Sequence, residues 1–162
     1  TFQSPVWDER DRGLYEEDVY LKQFQELDPE DAEDIEKVIR GTGGTIHKRP
    51  YADTWVKYLK SKGYHVYILS NYSSYMLDHT KKELTFRREM DGEVFSCYAK
   101  QLKPDAEIYQ TILNKYQLKP EECVFIDDRP ENCRGAQEQG IHIICFKDFK
   151  QVTADLEKLG VK

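Results

Sequence analysis

Cys123-Val124-Phe125-Ile126-Asp127-Asp128-Arg129-Pro130-Glu131-Asn132 places four apolar residues directly before two adjacent carboxylates. A short apolar run bounded by turn residues reads as a buried strand. Acids at its carboxyl end, ahead of Pro130 and a helical segment, lie where open α/β sheets bind their ligands. Adjacent carboxylates repel each other, and a hard cation such as Mg²⁺ is the usual compensation.

The pattern on either side of this stretch alternates strand and helix. Downstream come a helix ending at Gly140, a strand from Ile141 to Phe146, and a helix with Val152, Leu156 and Leu159 on one face. Upstream, Ala52, Trp55, Val56 and Leu59 form a helical stripe that Gly63 stops. His65 to Leu69 predicts a strand ending at Ser70-Asn71, residues 73–83 a helix, and Val94 to Tyr98 a short strand. Lys103-Pro104-Asp105 opens a helix carrying Ile108, Ile112, Leu113 and Tyr116, with the proline in its first turn. Such alternation implies a parallel sheet covered by helices on both faces.

Residues 1–48 differ in character and show no strand pattern. Tyr20, Phe24 and Leu27 recur at helical spacing after Glu16, Glu17 and Asp18. A second helical face carries Ala32, Ile35, Val38 and Ile39, and Gly41, Gly43 and Gly44 predict a flexible joint after it.

Bulk properties narrow the function classes. The chain has 162 residues, enough for one domain with a core and a small appendage. A net charge of −6 argues against nucleic acid as a partner. No apolar run is long enough to span a membrane and no signal peptide is evident, so no membrane partner is expected. Cys97, Cys123, Cys133 and Cys145 lack metal-ligand spacing and read as reduced, buried thiols of a cytoplasmic protein.

Each polar signal follows a strand or precedes a helix: Ser70 and Asn71, Lys103, and Asp127 and Asp128. In a parallel sheet these exits share one edge, so hydroxyl, ammonium and carboxylates are expected to converge there. That set suits phosphoryl chemistry, with donors for phosphate oxygens, a lysine for transition-state charge, and acids for Mg²⁺. Taken singly the signals are weaker. Ser70-Asn71 alone reads as turn chemistry and Lys103 alone as a solvated lysine. Asp127-Asp128 also suits a helix cap, although one cap does not require two acids.

Three segments in order resemble the haloacid dehalogenase superfamily over about residues 50–160: Val66-Tyr67-Ile68-Leu69-Ser70-Asn71, Leu102-Lys103-Pro104-Asp105-Ala106-Glu107-Ile108-Tyr109, and Val124-Phe125-Ile126-Asp127-Asp128-Arg129-Pro130-Glu131-Asn132. Within it the chain looks most like the phosphatase branch, near the sugar-phosphate phosphatases and the phosphatase domain of soluble epoxide hydrolase. The resemblance implies a three-layer α/β/α Rossmann-like parallel sheet with a small helical cap. Residues 1–48 would be part of the cap and residues 49–162 a core without its first strand. It further implies that Ser70 and Lys103 are catalytic, that Ser70, Asn71 and Lys103 bind phosphate, that Asp128 and Asp127 hold Mg²⁺, and that Asn132 lies in their immediate surroundings. Lys100 is a weaker candidate for the lysine, because no proline and helix follow it directly.

The family's first motif, a strand ending in Asp-x-Asp whose first aspartate attacks phosphorus, has no counterpart here. No two aspartates are separated by one residue, and Asp8 and Asp11 have no strand before them. The family places that strand between the Ser70 and Asp127 strands. Without it, two buried edges would hold unpaired backbone groups at about 1–3 kcal/mol each. The expectation is therefore that roughly 30–40 residues precede Thr1 or reside in a separate peptide, and that the chain alone is inactive. The expected activity is Mg²⁺-dependent hydrolysis of a small phosphorylated metabolite, such as a sugar phosphate, through an aspartyl-phosphate. Its partners would be that metabolite and its own N-terminal segment. The alternatives are a non-catalytic phosphate-binding relative, a dehalogenase, and a receiver-like domain, whose acid pair would come first rather than last.

Overall fold

Helices dominate the first part of the computed structural model, which describes residues 4–161. The start of the predicted cap, residues 1–3, lies outside the described residues. Helix α1 (Val6–Arg12) ends at Gly13, whose φ of +68° closes the helix in the left-handed region. Helix α2 (Glu17–Leu27) opens on Glu17 and Asp18, acids that complement the positive end of its dipole. Helix α3 (Ala32–Gly41) follows the Asp28-Pro29 turn. Tyr20, Leu21, Phe24, Ile35 and Ile39 form the buried cluster of these helices, with Val6 and Trp7 packed against it. Leu27 and Val38, assigned to the apolar faces from spacing, are instead exposed. The buried face of α2 runs through Leu21 rather than Leu27, and α3 buries only the Ile35–Ile39 row.

The expected flexible joint is a single 3-10 turn, Thr42–Thr45. Its threonines satisfy the local carbonyls: Thr42 Oγ1 donates to Ile39 O and Thr45 Oγ1 to Thr42 O, both at 2.7 Å. Gly43 serves close approach, since a Cβ there would lie 3.0 Å from His79 Cβ.

Helix α4 (Ala52–Ser61) leads into strand β1 (Tyr67–Ser70), then helix α5 (Ser74–His79), strand β2 (Gly92–Phe95) and the single-turn helix α6 (Ser96–Ala99). Strands β1 and β2 are parallel, with Ser70 opposite Phe95. The strand predicted through Tyr98 thus stops at Phe95. Ser96 turns the chain, because its side chain bonds backbone groups of two other segments, and Tyr98 is left exposed on the turn. This first compact unit ends at Lys100.

The second unit begins at Gln101. It contains helix α7 (Ala106–Tyr116), strand β3 (Val124–Asp127), helix α8 (Pro130–Glu138), strand β4 (His142–Cys145) and helix α9 (Phe149–Lys158). Pro104 lies before the N-cap Asp105 of α7 rather than in its first turn, because Asp105 N donates to Leu102 O at 2.9 Å and closes a separate turn. Strands β3 and β4 are parallel, with Asp127 opposite Cys145. Asp148 caps α9 by accepting from Gln151 N at 2.8 Å.

Sheet pairing among the described residues is confined to β1–β2 and β3–β4. The apolar run read as a buried strand, β3, is half-buried throughout, as is β1, whereas Val94, Phe95 and Ile144 on their partners are buried. Cys97 and Cys133 are buried and Cys123 and Cys145 half-buried, all as free thiols. No helix of the described residues is long and apolar enough to cross a membrane.

Candidate active site

Strand β3 delivers Asp127 as its last residue, and three donors converge on that carboxylate. Lys103 Nζ donates to Oδ2 at 2.6 Å, while Arg129 N and Asn132 Nδ2 each donate to Oδ1 at 2.9 Å. The Lys103 and Asp127 side chains are 8% and 7% exposed. The three hydrogen bonds, one of them from an ammonium, fix this enclosed carboxylate in place. Lys103 therefore meets part of the repulsion between the adjacent acids from within the protein.

The lysine is itself held in place. Its ammonium sits 5.4 Å from the centre of the Phe125 ring, a cation–π contact, and Phe125 meets Tyr109 edge to face at 5.6 Å. Tyr109 is fully buried and donates through its hydroxyl to Asn132 O at 2.7 Å. Burial, reinforced by the nearby Asp127 charge, pushes the Tyr109 phenol well above its ordinary value, so it stays a donor. Gly135 of α8 lets the Lys103-Pro104 loop approach, since a Cβ there would lie 2.5 Å from Pro104 O. Behind the strand end, Cys133 Sγ donates to Asp127 O at 3.4 Å, and burial pushes that thiol up to about 11.

Asp128 behaves differently from its neighbour. It is exposed, and no donor bonds its carboxylate among the described residues. Asn132 is 2% exposed, and its Oδ1 is buried without a hydrogen-bond partner. No group of three or more His, Cys, Asp or Glu able to hold a metal occurs among the described residues. Mg²⁺ does not need such a cage. It takes oxygen ligands, keeps several waters, and is held by one or two carboxylates beside a substrate phosphate. The open carboxylate of Asp128 and the unsatisfied oxygen of Asn132 fit that requirement. A closed structural metal centre does not fit here.

In the first unit, Ser70 ends β1 half-buried, and among the described residues its hydroxyl makes only a 3.5 Å contact with Asn71 O. The turn that follows is firmly held. Tyr72 N donates to Ser96 Oγ at 2.8 Å, the Tyr72 phenol shares a 2.9 Å hydrogen bond with Thr80 Oγ1, and Ser73 Oγ caps α5 by accepting from Met76 N. Lys100 donates to Gly13 O, whereas Lys103 is the lysine on Asp127. Ser96, Tyr109, Thr80 and Gly135 escaped the sequence reading. Their roles rest on contacts between distant segments that no local spacing announces.

A family model described as haloacid dehalogenase-like hydrolase matches residues 3–140. Flavin mononucleotide hydrolase 1 of Arabidopsis thaliana is 26% identical over 156 residues, which cover 96% of this chain and 62% of that protein. A sesquiterpene phosphatase of Aspergillus oryzae is 26% identical over 157 residues, covering 96% of this chain and 80% of that one. The chain thus spans about three fifths of the first of these relatives. Among solved structures, an enzyme of the same family from Bacteroides thetaiotaomicron superposes with a TM-score of 0.75 at 22% identity, over 93% of this chain and 82% of that one. It was crystallised as an aspartate-to-alanine mutant with magnesium and inorganic phosphate. The shared α/β fold and the extent of the family match lead to one assignment: this chain belongs to the haloacid dehalogenase-like hydrolases.

Proposed function

We propose that the parent protein is a Mg²⁺-dependent phosphomonoesterase acting on a small phosphorylated metabolite. The observation that carries this reading is the buried Lys103–Asp127 pair beside the open carboxylate of Asp128. Relatives named as a flavin mononucleotide hydrolase and a sesquiterpene phosphatase support it, as does the magnesium and phosphate bound to the Bacteroides enzyme.

In this reading Asp128, next to Asp127, would hold Mg²⁺, and the ion would supply charge screening for the phosphate. Lys103 steadies the negative charge around the transferred group. Ser70 and Asn71 donate to its oxygens, and Asn132 orients Asp127 through their 2.9 Å bond. The nucleophile is an aspartate outside these 162 residues, because the chain holds no Asp-x-Asp. Its carboxylate attacks phosphorus as the P–O bond to the alcohol breaks, and water then hydrolyses the acyl phosphate. Residues 1–48 are read as part of a cap.

Full-length protein should release phosphate from p-nitrophenyl phosphate, with activity abolished by chelation and restored by Mg²⁺. Hydrolysis indifferent to Mg²⁺ would overturn the reading. The missing motif favours a second reading, a phosphate-binding protein without catalysis. Phosphate binding without turnover in the full-length protein would select it.

A further inference from the structure

Ser96 is fully buried, and its hydroxyl joins two segments far apart in sequence. Its Oγ accepts from Tyr72 N at 2.8 Å and donates to Asp11 O, at the end of α1, at 2.5 Å. A hydroxyl has one proton to give, and here it is given while a lone pair is used.

The position of this hydroxyl matters because of the register. Ser70 is the last β1 residue in the ladder and lies opposite Phe95, the residue just before Ser96. Only Asn71 separates Ser70 from Tyr72. Tyr72 is tied at both ends, by its amide to Ser96 and by its phenol to Thr80, and its ring packs 6.2 Å from that of Phe95. The Ser70-Asn71 turn is therefore pinned on one side by the strand ladder and on the other by the Tyr72 amide. The partner segment is seated just as closely. A Cβ on Gly13 would lie 2.9 Å from Cys97 O, and Lys100 donates to Gly13 O.

We propose that Ser96 is a positioning residue for phosphate binding: its buried hydroxyl sets the Ser70-Asn71 turn through the Tyr72 amide and couples that turn to the end of α1. This inference rests on the phosphatase reading above. Ser96 touches no substrate and acts only through the turn.

The test uses full-length S96A, S96C and S96T with inorganic phosphate as the probe. Phosphate affinity is measured as inhibition of p-nitrophenyl phosphate hydrolysis, and Tyr72 amide exchange by NMR. S96A and S96C should weaken phosphate by about tenfold, short of the roughly 100-fold effect of a 1 Å misplacement. They should also speed exchange at Tyr72, and S96T, which keeps the hydroxyl, should restore both. Should S96A fail to fold, Y72F loosens the same turn from the phenol end and carries the same expectation for phosphate. Unchanged phosphate affinity in S96A, or in Y72F where that replaces it, overturns the proposal even if the melting temperature falls. So does unchanged Tyr72 exchange in S96A. A wild-type protein that neither binds nor releases phosphate overturns the phosphatase reading itself, and this inference with it.

Discussion

Gly135→Ala sets two known effects against each other. In the interior of α8, alanine in place of glycine should stabilise by about 1 kcal/mol through backbone entropy. The new Cβ, however, would lie 2.5 Å from Pro104 O, 3.0 Å from Tyr109 Cε2 and 3.1 Å from Pro104 Cβ. The first contact is about 0.9 Å short of an ordinary one at 3.4 Å. Neither neighbour yields easily. The Pro104 carbonyl is backbone flanked by the Leu102–Asp105 turn, and the Tyr109 ring is fully buried. Overpacking of this kind costs about 1–3 kcal/mol, and rigid neighbours favour the upper half of that range. The net expectation is a loss of about 1–2 kcal/mol in urea unfolding. Any relief must push back the loop that carries Lys103, whose Nζ sits 2.6 Å from Asp127. Since a displacement near 1 Å at a catalytic group costs roughly 100-fold, kcat/KM for p-nitrophenyl phosphate should fall by one to two orders of magnitude in the full-length protein. A variant that gains about 1 kcal/mol and keeps its activity would refute the view that Gly135 sets the position of Lys103.

Three further outcomes follow from the same geometry. Lys103→Met leaves Asp127 buried without its ammonium and should lose about 3–5 kcal/mol in urea unfolding, part of which the double change with Asp127→Asn should restore. Asp128→Asn alters an exposed group, so stability should move by no more than about 0.5 kcal/mol while Mg²⁺ titration of phosphatase activity loses its response. Burial opposes the charge on Asp91, but Lys60, the Val66 amide and His65 outweigh it and hold this carboxyl below its ordinary value. A group depressed in the folded state stabilises above the unfolded carboxylate range near about 4 and loses that contribution as pH falls through the lower folded value. Asp91→Asn should therefore flatten the acid limb of a stability-versus-pH curve and leave the neutral region sloping as before.

Strand and helix order was legible because each element carries a local signature. The Glu17–Asp18 start, the Gly63 and Gly140 stops, and the apolar runs before Ser70 and Asp127 all depend on neighbours in sequence. The errors came where a distant segment decides. Val94 to Tyr98 reads as a short strand, yet Ser96 leaves the ladder because its hydroxyl finds Tyr72 N and Asp11 O. Leu27 and Val38 satisfy helical spacing but fall outside a core that Tyr20, Phe24, Ile35 and Ile39 already fill.

The acid pair carries the same lesson into the chemistry. Sequence alone presents Asp127 and Asp128 as equals that repel and therefore call for a cation. In the fold they separate. Asp127 is enclosed and already matched by an ammonium and two N–H donors, whereas Asp128 stays open. The need for an external cation thus falls on one carboxylate. An ion held by a single protein charge depends on its other ligands to bind at all. Affinity for Mg²⁺ should therefore rise when a phosphate anion is present, which calorimetric titration of full-length protein with and without inorganic phosphate can measure. Equal Mg²⁺ affinity in both titrations would mean that a second carboxylate joins Asp128 on the ion, and would refute the single-carboxylate reading.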